Sequence, residues 1–259
     1  MTGRPVSPLA ALSGYSVLVT GASEGIGRGV SMAAALAGAR VVVSAPNLDA
    51  AENVASEIRA RKGVATAAAC DVRHRADLDR AVETALRVFG RLDCFVHNAN
   101  SAGSHKPFED AENEDWDEAV AVGLRAVYFC AGSALPALRR SRGCLILLTS
   151  PAGIVGDPDM PIYSAVKGAQ RALVKSLAWE WGHFGVRVNA VLPSAVTPAL
   201  QAYLKREPHM RSLLLQRAAL CRMGDAETDI GRALNFLVGS DSGFISGQTL
   251  TVNGGALML

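Results

Sequence analysis

The apolar run at residues 15–19 breaks without a spacer into Thr20-Gly21-Ala22-Ser23-Glu24-Gly25-Ile26-Gly27, and helix-period sequence follows at once. A glycine-rich turn of this kind lets a backbone leave a strand, reverse through conformations that other residues resist, and begin a helix within a few positions. The alternation then continues along the chain. Further apolar runs rich in β-branched residues stand at 40–44, 65–70, 94–96, 145–148, 186–191 and 249–252. Helical periodicity occupies 27–36, 49–61, 76–89, 112–138, 163–183 and 227–237.

Strands that are apolar throughout, rather than on alternate residues, need cover on both faces, and amphipathic helices between them supply it. The predicted fold class is therefore α/β: a doubly wound parallel sheet of about seven strands, with helices on both faces and right-handed crossovers. No internal repeat, low-complexity tract or linker-like break divides the 259 residues, so one domain is expected, with an N-terminal extension at 1–13. Two stretches interrupt the rhythm. One is a polar loop at 100–111. The other, 193–225, reads as long and irregular, with three prolines and a Leu-rich patch at 213–215. Loops beyond the carboxyl ends of strands are where open α/β sheets bind ligands, so 193–225 is the expected substrate cover.

Composition excludes several function classes. A formal charge of +2 with dispersed Lys and Arg does not make a nucleic-acid surface. The five cysteines show no metal-ligand spacing and no dense disulfide pattern, as expected of free thiols in a reducing compartment. The apolar stretch at 8–19 runs straight into the glycine turn, unlike a cleaved leader. No window holds the roughly 18 uninterrupted apolar residues of a membrane span. A cytoplasmic protein with no nucleic-acid, membrane or metal partner is the expectation.

The glycine turn carries the first chemical signal. A helix N-terminus offers unpaired N–H groups to an anion, and glycines let a pyrophosphate approach them. The spacing Gly-x-x-x-Gly-x-Gly differs from the commoner Gly-x-Gly-x-x-Gly, and a tight strand–helix turn is the bland alternative. The second signal lies far downstream, in Ser150 and Tyr163-Ser164-Ala165-Val166-Lys167. A phenol and an ammonium at i and i+4 share one helix face, roughly 5–6 Å apart at Cβ. A free tyrosine titrates near pH ~10 and is a poor proton shuttle at neutrality. A neighbouring ammonium, together with a cationic nicotinamide, would stabilise the phenolate, and Ser150 could orient a substrate oxygen. A half-buried Tyr and a snorkelling Lys satisfy the same spacing without chemistry.

Taken in order, these pieces resemble the short-chain dehydrogenase/reductase family in its roughly 250-residue class, with a Rossmann-like fold. The likeness spans nearly the whole chain. It includes the glycine turn, Asp71-Val72, His97-Asn98-Ala99-Asn100, Ser150, the Tyr163–Lys167 motif, Arg187-Val188-Asn189-Ala190 before Pro193, and Val252-Asn253-Gly254-Gly255. The resemblance implies an NAD(P)-dependent oxidoreductase that interconverts a carbonyl and an alcohol. Tyr163 would be the general acid/base, Lys167 would hold the nicotinamide ribose and tune the phenol, and Ser150 would orient the substrate. Gly21, Ser23, Gly25, Ile26 and Gly27 would line the pyrophosphate, with Glu24 in the same loop. Asp71 and Val72 would flank the adenine, although Asp71 also reads as a loop or capping residue. Asn98 and Ala99 would pass beneath the adenosine ribose. Pro193 to Val196 would contact the carboxamide through the backbone. The family also implies a homo-oligomer, a dimer or a homotetramer, built on the two long helices. Trp116, Leu124, Val127 and Tyr128 read as core or subunit contact, Val174, Leu177 and Trp181 as packing, and the apolar tail 256–259 as a subunit contact or a frayed end.

The departures matter as well. Gly123 stands where the family usually has an Asn that seats a water behind the lysine. Asn100 replaces a glycine beside the cofactor. His97 reads as a structural substitute rather than a base. Pro193-Ser194 replaces Pro-Gly, and Thr197 falls one place early. Cofactor choice is thinly written: the position of an NAD-binding acid is Ala45, which leans towards NADP(H), yet Glu24 would repel a 2′-phosphate that it faced. Arg28 or Arg40 would be the available cations. Two other readings stay open, a nucleotide-binding scaffold or sensor with little catalysis, and a reductase of an activated C=C bond.

Overall fold

The computed structural model describes residues 11–100 and 106–258. Parts of the N-terminal extension, the 100–111 loop and the tail therefore lie outside the described residues. Seven strands form one parallel sheet: β1 (Ser16–Thr20), β2 (Arg40–Ala45), β3 (Val64–Ala69), β4 (Cys94–His97), β5 (Cys144–Leu148), β6 (Arg187–Pro193) and β7 (Thr249–Val252). Their order is β3-β2-β1-β4-β5-β6-β7, so the direction of winding reverses between β1 and β4. That reversal opens a crevice at the carboxyl ends of the two strands.

Helices α1 (Gly25–Leu36), α2 (Leu48–Ala60) and α10 (Arg232–Val238) contribute to one core layer, and α3 (Arg75–Phe89), α5 (Ala126–Ser141) and α7 (Pro161–Gly182) to the other. The two layers divide the central strands residue by residue. Val17 and Val19 belong to the first and Leu18 to the second; Cys94 and Val96 to the first and Phe95 to the second. Period-2 alternation with apolar residues on both faces is why these strands read as unbroken apolar runs. Leu12 is fully buried, and its N–H donates to the Ala37 carbonyl, so the end of the predicted extension belongs to the body.

Two expectations are corrected. The segment 112–138, read as one helix, begins as α4 (Asn113–Ala119), widens into a π turn at Val120–Arg125 and continues as α5. Residues 193–225 are not irregular. They carry α8 (Pro198–Arg206) and α9 (Met210–Arg217). The start of α8 is set by Thr197, whose hydroxyl accepts the Leu200 N–H at 3.1 Å, with Pro198 in the first turn, where a missing N–H costs nothing. Neither helix has a fully buried residue. The base of the segment is closed instead by a bridge between Ala195 and Gly224.

The 113–141 helical run is long and apolar enough to cross a membrane by length and composition. Cys130, Ala134 and Leu138 on its buried side pack into the second core layer, which accounts for its apolarity.

Candidate active site

The turn after β1 is held open from below. Gly21 and Gly25 have φ of +60° and +56°, where a side chain would be strained. Thr20 Oγ1 accepts the N–H groups of Asn98 and Ala99 at 3.1 and 3.2 Å. Asn98 Nδ2 in turn donates to the carbonyls of Thr20 and Gly21 at 3.0 and 2.9 Å. Gly27 sits against this clamp: a Cβ there would lie 2.4 Å from Asn98 Nδ2 and 2.5 Å from the Gly21 oxygen. The first intrahelical bond of α1 runs from Arg28 to the Glu24 carbonyl, so the N–H groups of the preceding turn are unpaired within the helix. The result is a backbone cradle with a positive dipole end, which fits a pyrophosphate.

A cavity of about 470 Å³ runs from this cradle across the crevice. Its walls include Gly21, Ser23, Glu24, Gly25 and Ile26 from the turn, and Asp71 and Val72 after β3. Asn98, Ala99 and Asn100 follow β4, and Tyr163, Lys167 and Pro193 close the far end. Most of the positions singled out in the sequence thus meet around one space.

Three do not line it. Gly27 lies buried behind the wall. Ser150, just before the short helix α6 (Ala152–Val155), is within hydrogen-bonding reach of Tyr163, and its Oγ accepts the Ala152 N–H at 3.2 Å. Val196 is turned outwards, and its N–H is already donated to the Gly224 carbonyl at 2.9 Å. Its neighbours Thr197, Pro198 and Ala199 line the cavity instead.

At the reacting end, Lys167 is 2% exposed and donates to the Leu148 carbonyl at 3.0 Å. Its Nζ stands 5.4 Å from the centre of the Tyr163 ring. Burial pulls the ammonium down to about 7, because charge is poorly solvated there. Burial also raises the phenol above its ordinary value, and the hydrogen bond from Ser150 offsets this only in part. Burial therefore sets the direction for both groups, and Lys167 does not by itself lower the phenol as expected.

The departures from the family pattern have structural answers. The space of a Cβ on Gly123 is filled by Val166 Cγ1, 2.4 Å away, and the Gly123 carbonyl accepts a hydrogen bond from Gln170 Nε2 at 2.6 Å. A side chain at this π turn would require Val166 to shift. His97 is buried, with Nδ1 3.4 Å from Cys130 Sγ, and burial lowers its pKa to about 3. His97 does not line the cavity, and a ring held neutral by burial suits a packing role. Asp71 pairs with Arg73 at 2.6 Å, which holds its carboxyl below the usual range. Its carboxylate organises the turn into α3, while the residue still lines the cavity. Arg28 and Arg40 are both committed elsewhere, to Glu57 and to the Gly14 carbonyl.

Sequence reasoning gave no role to Thr20, Thr197 or Gln170. Only Thr197 carried a local signal, a hydroxyl residue just before a proline at a helix start.

Comparison with known proteins places the chain in a family. A family model described as enoyl-(acyl carrier protein) reductase matches residues 21–256. The chain is 34% identical over 248 residues to the 7alpha-hydroxysteroid dehydrogenase of Escherichia coli, covering 95% of each protein. It is 33% identical over 252 residues to a 3-oxoacyl-[acyl-carrier-protein] reductase of Synechocystis, covering 96% of this chain and all 100% of that one. Among solved structures, a 7alpha-hydroxysteroid dehydrogenase complexed with NADH and 7-oxo glycochenodeoxycholic acid superposes with a TM-score of 0.89 at 32% identity, covering 97% of this chain and 98% of the other. The chain belongs to the short-chain dehydrogenase/reductase family of NAD(P)-dependent oxidoreductases.

Proposed function

We propose that the protein interconverts a carbonyl and an alcohol on a small-molecule substrate, with Ser150, Tyr163 and Lys167 as the reacting set. The observation that carries this is that Tyr163 and Lys167 close one end of a cavity whose other end is the glycine cradle, with Ser150 within hydrogen-bonding reach of the phenol. Nicotinamide dinucleotide, when bound, supplies or takes up the hydride. The turn residues Gly21, Ser23, Gly25 and Ile26 hold its pyrophosphate, and Lys167 holds the ribose next to the reaction. Ser150 donates a hydrogen bond to the substrate oxygen and fixes it beside the phenol. Tyr163 Oη gives that oxygen a proton in reduction and takes one in oxidation. The names of the relatives, a hydroxysteroid dehydrogenase and a 3-oxoacyl carrier reductase, support a ketone or secondary alcohol on an apolar body. The leucines of α9 are consistent with that. Exposed Tyr128 on α5 and Trp179 on α7 support a homo-oligomer formed through those helices.

The test is reduction of a panel containing a 7-oxo bile acid and acetoacetyl-coenzyme A, with the parent chain and Tyr163→Phe. At least one compound should turn over, and the variant should lose roughly 10²–10⁴-fold in kcat, as removal of a general acid does. Cofactor affinity should stay within about twofold. Full activity in Tyr163→Phe on a proven substrate would remove the assigned acid/base.

One observation favours a second reading, a nucleotide-binding protein with little turnover. Gly123 stands where the family usually has an Asn, so the side-chain amide that would seat a water behind Lys167 is missing, and the Gly123 carbonyl is already engaged by Gln170. Cofactor binding with no turnover across the panel would favour it.

A further inference from the structure

Three residues stand in one row across the amino ends of β4, β5 and β6. Cys94 is the register partner of Cys144, and Cys144 of Arg187. Both cysteines are fully buried in the first core layer and carry free thiols. Neighbouring strands run roughly 4.8 Å apart, which falls inside the span of about 4.4–6.8 Å between Cα atoms that a disulfide bridges. The two strands are pressed together just ahead of the pair. Cys144 donates its N–H to the Asp93 carbonyl at 2.8 Å, and a Cβ on Gly143 would lie 2.1 Å from that same oxygen, so only glycine admits the approach.

Arg187 completes the row. Its Nη2 donates to the Leu237 carbonyl at 2.7 Å, at the end of α10, while Nη1 is buried without a well-formed hydrogen bond among the described residues. The guanidinium is within hydrogen-bonding reach of the Cys144 thiol. Cys144 is the member of the pair held low, by the hydrogen bond from Cys94 and then by the Arg187 charge, whereas burial raises Cys94. The row also borders solvent. Asp93, Gly143 and Arg187 line a cleft of about 410 Å³ at the amino ends of the strands, so each cysteine follows directly on a residue of its wall.

We propose that Cys94 and Cys144 form a two-thiol oxidation site, which hydrogen peroxide closes to an intrachain disulfide. The hydride chemistry uses neither residue, so the site is independent of the dinucleotide cavity. The Cys144 thiolate attacks one peroxide oxygen and the O–O bond breaks; the departing hydroxide takes up the thiol proton as water, and Cys144 becomes a sulfenic acid. The Cys94 sulfur then attacks the Cys144 sulfur, the S–O bond breaks, and the oxygen leaves as a second water with the Cys94 proton. Two thiols lose two electrons in all, and one peroxide is reduced to two waters. Arg187 stabilises the attacking thiolate. Cys94, one strand away, resolves the sulfenic acid before it is carried on to the sulfinic stage.

The experiment is peroxide treatment of the folded full chain carrying Cys221→Ser, which removes the exposed thiol, followed by alkylation and peptide mapping without reductant. A Cys94–Cys144 bridge should form, with loss of the mass of two hydrogens, and dithiothreitol should reverse it. In the same background, Cys94→Ala should leave Cys144 as a sulfenic acid that dimedone traps. Cys144→Ala should label Cys94 at least about tenfold less, as a thiol without the cation beside it reacts more slowly. The mapping decides the pairing even where an alanine variant fails to fold. Full alkylation of the remaining thiols, a bridge to Cys70 or Cys130 instead, or a Cys94–Cys144 bridge that forms only in urea overturns the inference. Equal labelling of the two alanine variants overturns the assignment of Cys144 as the attacking thiol.

Discussion

The two ends of the sheet carry cavities of similar size and opposite character. The one at the carboxyl ends of the strands is about 470 Å³ and the one at the amino ends about 410 Å³. At the amino end the charges answer one another. Arg91 grips Asp93 through Nε and Nη2 at 2.8 and 2.6 Å, and Asp93 also accepts the Ser16 N–H at 2.8 Å. Arg187 Nη2 donates to the Leu237 carbonyl at 2.7 Å, where a cation complements the carboxyl end of α10. At the other end, Tyr163 and Lys167 are desolvated, Glu24 has no partner among the described residues, and the first N–H groups of α1 have no partner within the helix. Volume does not distinguish a site from a structural cleft. The lining does: the carboxyl-end cavity brings the glycine turn, Asn98, Tyr163 and Lys167 around one space, whereas the amino-end cleft is walled by the Arg91–Asp93 pair and by Arg187 on the end of α10.

Substitutions at the two ends should separate binding from stability. Gly27→Ala has the largest expected effect on the carboxyl end, since its Cβ would meet the Gly21 carbonyl, which cannot move without opening the cradle. NADH affinity should fall by at least about tenfold, equivalent to about 1.4 kcal/mol. Calorimetry that found unchanged affinity would break the claim that this turn is the anion cradle. Asp93→Ala belongs to the other end. It leaves the buried Ser16 N–H without an acceptor and Arg91 without a partner, so a loss of about 2 kcal/mol in urea unfolding is expected. NADH affinity should not change. A binding defect there would mean that the amino-end cleft is coupled to the site.

The smallest effect concerns pH. His97 has a folded pKa of about 3, below its ordinary value of 6.5, so the unfolded chain binds the extra proton between those values. Stability attributable to this group is complete above pH ~6.5 and is lost as pH falls towards 3. From pH 7 to pH 6 the loss is roughly 0.7 kcal/mol. His97→Asn should remove that part of the slope in unfolding measured across this range. An identical slope in the variant would show that His97 is not the titrating group.

Much of the fold was legible because parallel strands are buried on both faces. β5 is a solid apolar block and β2 carries three successive valines, the pattern of strands covered on both faces. The reading weakened where burial did. β3, at the sheet edge, is alanine-rich and partly exposed, and its limits were placed one residue late. The π turn at 120–125 was not legible. Its extra residue is stabilised by Val166 and Gln170 on α7, more than forty positions away, so no local periodicity records it. Likewise Arg28 reads as a free cation beside the cofactor turn until α2 brings Glu57 against it.

By itself the sequence determined the order of strands and helices, the glycine turn after the first strand, and the four-residue spacing of Tyr163 and Lys167. These depend on backbone conformation and periodicity, which neighbouring residues set. The tertiary structure decided which polar groups found partners. Burial rather than charge governs Tyr163 and Lys167, Asp71 is tied to its own loop, Val196 faces outwards with Thr197 taking its place, and Glu24 is left open to the cavity. Pairing and desolvation are properties of atoms brought together across the chain, and the energy of a side chain depends on what arrives beside it.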